Sequence, residues 1–194
     1  MGVSRQQAAE NRSAIVAAAE RLFRVRGTDA VGLTELMKEA GFTQGGFYNH
    51  FKSKDALVAA VMEKAMQDRA DSPNAGSIAE QAALYLSDAH RDNVEGGCPL
   101  SSFAGDAPRM SDAARASYAR GLAAYLGRLE SMIATEGATA EQTRREAIAV
   151  FSQMVGTLVL SRAIAGADPA FADEILEAGR RTLVDALDDP ATRA

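Results

Sequence analysis

Apolar residues recur along this chain at helical spacing, and no segment shows the two-residue alternation of a half-buried strand. Between Gln7 and Arg26 they fall at Ala8, Ile15, Ala18, Ala19, Leu22 and Phe23, and Gly27 supplies a stop. Two short helices are expected over 33–40 and 44–51. Ser53 is placed to cap a longer helix running to about Arg69, with Leu57, Val58, Val61 and Met62 on its inner face. Asp71-Ser72-Pro73-Asn74 then breaks the chain. Ile78 to Asn93 reads as one amphipathic helix, and Gly96-Gly97-Cys98-Pro99 as a turn into a short one. Ser111 to about Glu136 and Thr139 to about Ala165 are long, the latter unusually apolar from Phe151 onward. Asp168-Pro169 opens a last helix, with Asp as cap and Pro in the first position, that ends near Leu187. The expected fold class is all-α. Residues 1–6 and 188–194 are the segments expected to stay outside it.

The run from Leu33 to Lys54 carries the chemistry. It reads as a helix, a tight turn, a short second helix and a basic entry into a third, the build of a helix-turn-helix whose second helix lies in a DNA major groove. Gly45 and Gly46 in the first turn of that helix each cost about 1 kcal/mol relative to alanine. Close approach of another backbone, or of DNA, is the reason to keep them. Thr43 is placed to cap the helix and turn its free amides outward, where a phosphate is held. Phe47 and Phe51, four apart, should face inward against Leu36, Leu22 and Phe23. Gln44, Tyr48, Asn49 and His50 are then left toward solvent or DNA. Gln and Asn pair with base edges, adenine most typically. Tyr48, His50 and Lys54 suit phosphate oxygens.

A formal net charge of −5 argues against nucleic acid until its distribution is considered. Residues 1–54 hold 8 Lys/Arg and 5 Asp/Glu, a net of +3, and residues 55–194 hold 13 and 21, a net of −8. A basic head on an acidic body lets DNA approach from one side. With 194 residues, 47% of them hydrophobic, a sizeable core is available. A single cysteine cannot form an internal disulfide, which fits a reducing cytoplasm. No apolar stretch looks close to the ~18 residues of a membrane span, so no membrane partner is expected. Two histidines, one cysteine, no metal-spaced cluster, no phosphate-loop glycines and no nucleophile elbow leave no catalytic residue, metal or cofactor to expect.

The ordered pattern Phe23-Arg24-Val25-Arg26-Gly27, Leu33-Thr34-Glu35-Leu36, Ala40-Gly41-Phe42-Thr43, Gly45-Gly46-Phe47-Tyr48-Asn49-His50-Phe51 and Lys52-Ser53-Lys54-Asp55-Ala56-Leu57 resembles the TetR family of transcriptional regulators, over about residues 10–60. The resemblance implies an N-terminal three-helix helix-turn-helix domain over 1–54, continuing into the next helix, and a C-terminal helical ligand-binding and dimerisation domain over 55–194. The implied function is a homodimeric repressor, released from a palindromic operator in double-stranded DNA by a small, mainly apolar effector. By position, Thr34, Gln44, Gly46, Tyr48, Asn49, His50 and Lys54 match family positions that face DNA, with Thr43 and Gly45 beside them. The chain departs from the family at Gly32, where a capping Thr is common; glycine brings no hydroxyl for a phosphate.

In such proteins the C-terminal helices form a ligand cavity, for which Met62, Met66, Tyr85, Leu100, Phe103, Tyr118, Tyr125, Phe151 and Met154 are the candidates. The last two long helices usually pack with the partner's as a four-helix bundle, a role that fits the stretch from Phe151 to Ala165 with its small residues Gly156, Ser161 and Ala165. The segment Gly96 to Asp106 is similar to one in a branch that includes cysteine-based sensors of electrophiles. Cys98 therefore has two readings, a small buried hydrophobe or a sensor thiol at a helix start near His90 and Arg91. Arg162 likewise reads either as a partner for an anionic ligand or as half of a salt bridge at the dimer interface. Control by a protein partner instead of a small effector is a further alternative.

Overall fold

The structure, a computed structural model, describes residues 4–72, 76–135 and 137–188. The outermost ends of the chain, Pro73 and Asn74 of the expected break, and Glu136 lie outside the described residues. Nine α-helices and no strand are found among those described: α1 Arg5–Arg26, α2 Leu33–Glu39, α3 Lys54–Asp71, α4 Ile78–Tyr85, α5 Asp88–Asp92, α6 Pro99–Ser102, α7 Asp112–Ile133, α8 Ala140–Ile164 and α9 Pro169–Asp188. Single 3-10 turns form at Gln44–Asn49 and Ala107–Arg109. The all-α reading holds.

Side-chain caps start most of these helices. Ser53 accepts the Ala56 N–H at 3.1 Å ahead of α3, and Asp168 accepts that of Phe171 at 3.1 Å ahead of α9. Reciprocal capping boxes open α4 (Ser77 with Glu80) and α8 (Thr139 with Gln142). One expected helix divides in two. Over 78–93 the chain stops at Tyr85, and Ser87 begins α5 by accepting the His90 N–H at 3.2 Å while donating to the Leu84 carbonyl at 2.8 Å. A serine that serves the backbone on both sides competes with helix continuation, and amphipathic periodicity alone does not register it.

The chain forms two compact units. The first holds residues up to Asp71 together with Cys98–Gly121; the second holds Ser72–Gly97 together with the chain from Leu122 onward. The unit that contains the helix-turn-helix is thus larger than residues 1–54. It keeps α3, whose Leu57, Val61 and Met62 are fully buried, and it takes α6 with its buried Leu100 and, just past its end, buried Phe103.

In the second unit α8 packs on α9 and α4 on both. Contrary to expectation, α8 is long and apolar enough to cross a membrane. Its apolarity has two sources. Ala147, Val150, Phe151, Met154 and Leu158 are buried on one side, while Ile148, Val159 and Leu160 stand exposed on another. Ser161 is buried and donates to the Ala172 carbonyl of α9 at 2.8 Å, so this small residue serves a close helix pair within the chain. Gly179 of α9 serves the same pair, because a Cβ there would lie 2.4 Å from Thr157.

Arg162 has a role within the chain that neither of its two sequence readings names. Its guanidinium donates to the carbonyls of Arg91 at 2.9 Å and His90 at 2.5 Å, groups that the five-residue α5 leaves open at its C-terminal end. Arg162→Met should therefore lower stability by about 1–3 kcal/mol, through carbonyls left without their charged donor. A urea midpoint unchanged from that of the parent chain would contradict this role.

Candidate nucleic-acid interface

Chain stops shape the first unit as much as its helices do. Gly27 ends α1 at φ +80°, its N–H returning to the Phe23 carbonyl at 2.8 Å. Gly41 ends α2 at φ +83°; Phe42 N–H reaches the Met37 carbonyl at 2.8 Å and Gly41 N–H that of Lys38 at 3.0 Å. These are the two bonds of a Schellman stop, and its left-handed residue favours glycine. The second helix of the motif forms next, but as a six-residue 3-10 turn and not as an α-helix over 44–51. Two glycines at its start weaken the α-helical nucleus, and the tighter turn suffices over so short a run. Thr43 occupies the capping position, yet its side chain makes no capping bond. Gly32 likewise opens α2 with none, as its lack of a side chain requires.

Phe47 and Phe51 hold this turn. Both are buried and their rings stack at 5.8 Å, with the Arg12 guanidinium 4.6 Å from the centre of the Phe51 ring. The opposite side is polar and open. Thr34, Thr43, Gln44, Gly45, Tyr48 and Asn49 are exposed, while Gly46, His50 and Lys54 are half-buried. Tyr48 is 68% exposed although it sits edge-on to Phe47 at 5.2 Å. The Thr34 hydroxyl donates to Gln44 Oε1 at 2.7 Å, which holds the Gln44 amide in one orientation with its NH2 group left for a partner. Lys54 Nζ donates to the Asp29 carbonyl at 3.3 Å. A Cβ on Gly46 would meet only Met37 Cε, at 3.8 Å, and one on Gly45 would meet nothing within 4 Å. Among the described residues no backbone requires a glycine at either position.

The family model described as "Bacterial regulatory proteins, tetR family" matches residues 15–61. Residues 15–61 are thus similar to the DNA-binding region of TetR-family regulators. The transcriptional repressor BepR of Brucella suis is 37% identical to it over 95 residues, 43% of this chain and 46% of that protein. The transcriptional repressor NemR of Escherichia coli is 38% identical over 55 residues, 28% of each chain. The matched stretches thus span less than half the length of these relatives. The solved structure of reduced E. coli NemR superposes with a TM-score of 0.70 at 20% identity, covering 93% of this chain and 99% of that one. A TetR regulator from Chloroflexus aurantiacus reaches 0.73 at 21% identity, covering 93% and 96%. At these identities the solved structures establish the common fold.

Two features of this first unit lie outside the sequence motif. Glu20, buried on α1, pairs with Arg24 at 2.5 Å and with Lys64 of α3 at 3.4 Å. The Lys64 ammonium is held above its usual pKa, chiefly by its hydrogen bond to Asp68. A carboxylate inside the apolar face of α1, four residues before an arginine, is the signal that marks such a pair in sequence. The second feature is Asp106, whose carboxylate accepts the Thr28 N–H at 3.0 Å.

The expected ligand residues divide between the units. Met62, Met66, Cys98, Leu100, Phe103 and Tyr118 belong to the first, and Tyr85, Tyr125, Phe151 and Met154 to the second. All are buried except Tyr118, which is half-buried. In the second unit Phe151 brings the tyrosines together, lying 4.7 Å from the Tyr125 ring and 6.2 Å from that of Tyr85. In the first, the Tyr118 hydroxyl donates to the Leu100 carbonyl at 2.7 Å, and burial, with a smaller effect of Cys98, pushes its pKa up to about 12. Cys98 is only 7% exposed at the start of the four-residue α6, a setting that favours packing over reactivity.

Gly46→Ala separates the two reasons for a glycine. It should leave stability unchanged or raise it by about 0.4–1 kcal/mol, because the site has room and helical backbone. It should also weaken DNA binding about tenfold or more, because the added methyl meets the duplex. Melting and anisotropy measured on one preparation test both halves; a destabilised variant, or one that binds like the parent, would contradict the assignment.

Proposed function

We propose that this chain is a homodimeric transcriptional regulator of the TetR family, a repressor that leaves a palindromic operator when a small, mainly apolar effector binds. The observation that carries the reading is the sorting of one short turn: Phe47 is fully buried while Gln44, Tyr48 and Asn49 around it stand exposed. A turn so sorted presents two amides and a phenol outward from a rigid support, which suits base edges and phosphates in a major groove. The positive balance of residues 1–54 favours the same face. BepR and NemR, which match this region, are both named transcriptional repressors.

Dimerisation is supported by the outer face of α8. Ile148, Val159 and Leu160 are 44%, 42% and 60% exposed, and Phe171 at the start of α9 is 48% exposed. Gly156, with open space beyond it, lies in the same i, i+4 row as Ile148 and Leu160, and Val159 lies beside that row. A second copy covering this row places two recognition turns on one duplex, and two half-sites about one turn apart supply the affinity that one module lacks. Methionine and aromatic side chains in both units suit an apolar effector. Such an effector acts by binding the operator-competent and incompetent dimers unequally, a coupling typically worth about 1–3 kcal/mol.

The direct test is selection of duplexes from a random pool, followed by anisotropy titration at low salt. Recovery of a palindrome is expected; absence of binding to any duplex would end the DNA-binding reading. On the selected duplex, Lys54→Ala should weaken binding to all sequences and lower the salt slope by about one per protomer. Gln44→Ala or Asn49→Ala should instead relax preference at one position, by about 1–3 kcal/mol. Val159→Glu with Leu160→Glu should yield a folded monomer in light scattering and lose about 100-fold or more in operator affinity. A dimer that persists in that variant would move the interface elsewhere.

A further inference from the structure

We propose that Asp106 and Arg109 are positioning residues for DNA binding, holding the α1–α2 turn and, through it, the ammonium of Lys54. The proposal rests on the DNA-binding reading above. It starts from residues that the sequence pattern assigns to the ligand-binding half and that lie in the same compact unit as the helix-turn-helix.

The contacts form one continuous chain. The Thr28 N–H, just past the left-handed stop at Gly27, donates to Asp106 Oδ2 at 3.0 Å, joining positions 78 residues apart. Arg109 donates to Asp106 Oδ1 at 2.7 Å and to Asp29 Oδ2 at 3.3 Å, bridging the two carboxylates. The Asp29 carbonyl accepts Lys54 Nζ at 3.3 Å. The far end of the chain is anchored in the core. Asp106 and Ala107 both donate their N–H groups to the carbonyl of Phe103, at 3.1 and 2.9 Å, and the Phe103 ring is fully buried.

Stability alone gives this chain little reason to exist. The Arg109 and Asp29 side chains are 60% and 77% exposed, where an ion pair is screened by water and contributes little. Asp106 differs, with only 13% of its side chain exposed and each carboxylate oxygen engaged. The arrangement thus commits a half-buried carboxylate and an exposed arginine to fixing the backbone of Thr28 and Asp29. Lysine carries its charge on a flexible four-carbon stem, so a phosphate contact from Lys54 gains when its ammonium is already held in place.

A double-mutant cycle in the full chain reads this coupling, by anisotropy on the duplex selected by the parent protein across a salt series. Asp106→Ala should lower affinity about fivefold and reduce the salt slope by about one per protomer, as Lys54→Ala does. The double variant should bind within about twofold of Lys54→Ala alone, because the two losses are one contact. Asp106→Asn keeps an acceptor for the Thr28 N–H and should recover most of the loss. Where Asp106→Ala fails to fold, Arg109→Ala takes its place in the cycle with the same expected non-additivity. Losses that multiply, or a variant with parental affinity and slope, would overturn the proposal while leaving the DNA-binding reading intact. A parent protein that binds no duplex would overturn both.

Discussion

Burial of Phe47, with Phe51 stacked behind it, sets the rotation of a turn only six residues long. That turn has no means of holding itself. It is too short to be stable alone, carries two glycines after its first residue, and lacks a side-chain cap. Packing supplies what propensity withholds. Once Phe47 is inside, its neighbours Tyr48 and Asn49 have only the outside left, and Gln44 follows them under the hand of Thr34. The polar face is thus a consequence of one aromatic ring finding the core. The glycines fit the same account, since they weaken the turn and yet leave its outer surface clear.

The same economy governs the supports around the motif. Left-handed glycines at 27 and 41 end α1 and α2 sharply enough for the motif to turn. Glu20 joins α1 to α3 through Lys64. In the second unit Arg162 closes the end of α5, and Ser161 with Gly179 lets α8 and α9 approach closely. Arg162 and the glycines at 27 and 41 act where regular helix stops, while Glu20, Ser161 and Gly179 act between helices.

Much of this was legible in the sequence, for physical reasons that differ by element. The long helices could be read because their apolar period extends over several turns and their caps, Ser53, Thr139 and Asp168, are the residues chemistry demands. The inward and outward phasing around Phe47 could be read because a ring that size has one favourable place to go. The break at Ser87 could not, since a serine's choice between helix and cap depends on tertiary surroundings. The 3-10 form of the second motif helix was hidden for a similar reason. Arg162 and Asp106 were missed because their partners are backbone groups 71 to 78 positions away, and backbone groups carry no signature in the sequence. The apolarity of α8 was underestimated because two separate faces of it, one buried and one exposed, together make a run that neither would make alone.

In the proposed dimer two outward-facing turns, one from each copy, read one duplex. Hydroxyl-radical footprinting of the selected duplex examines that arrangement most directly. The expected result is two protected patches related by a two-fold axis, their centres about one helical turn, or roughly 34 Å, apart. A single unsymmetrical patch, or protection that survives when Phe47 is replaced by alanine, would contradict it.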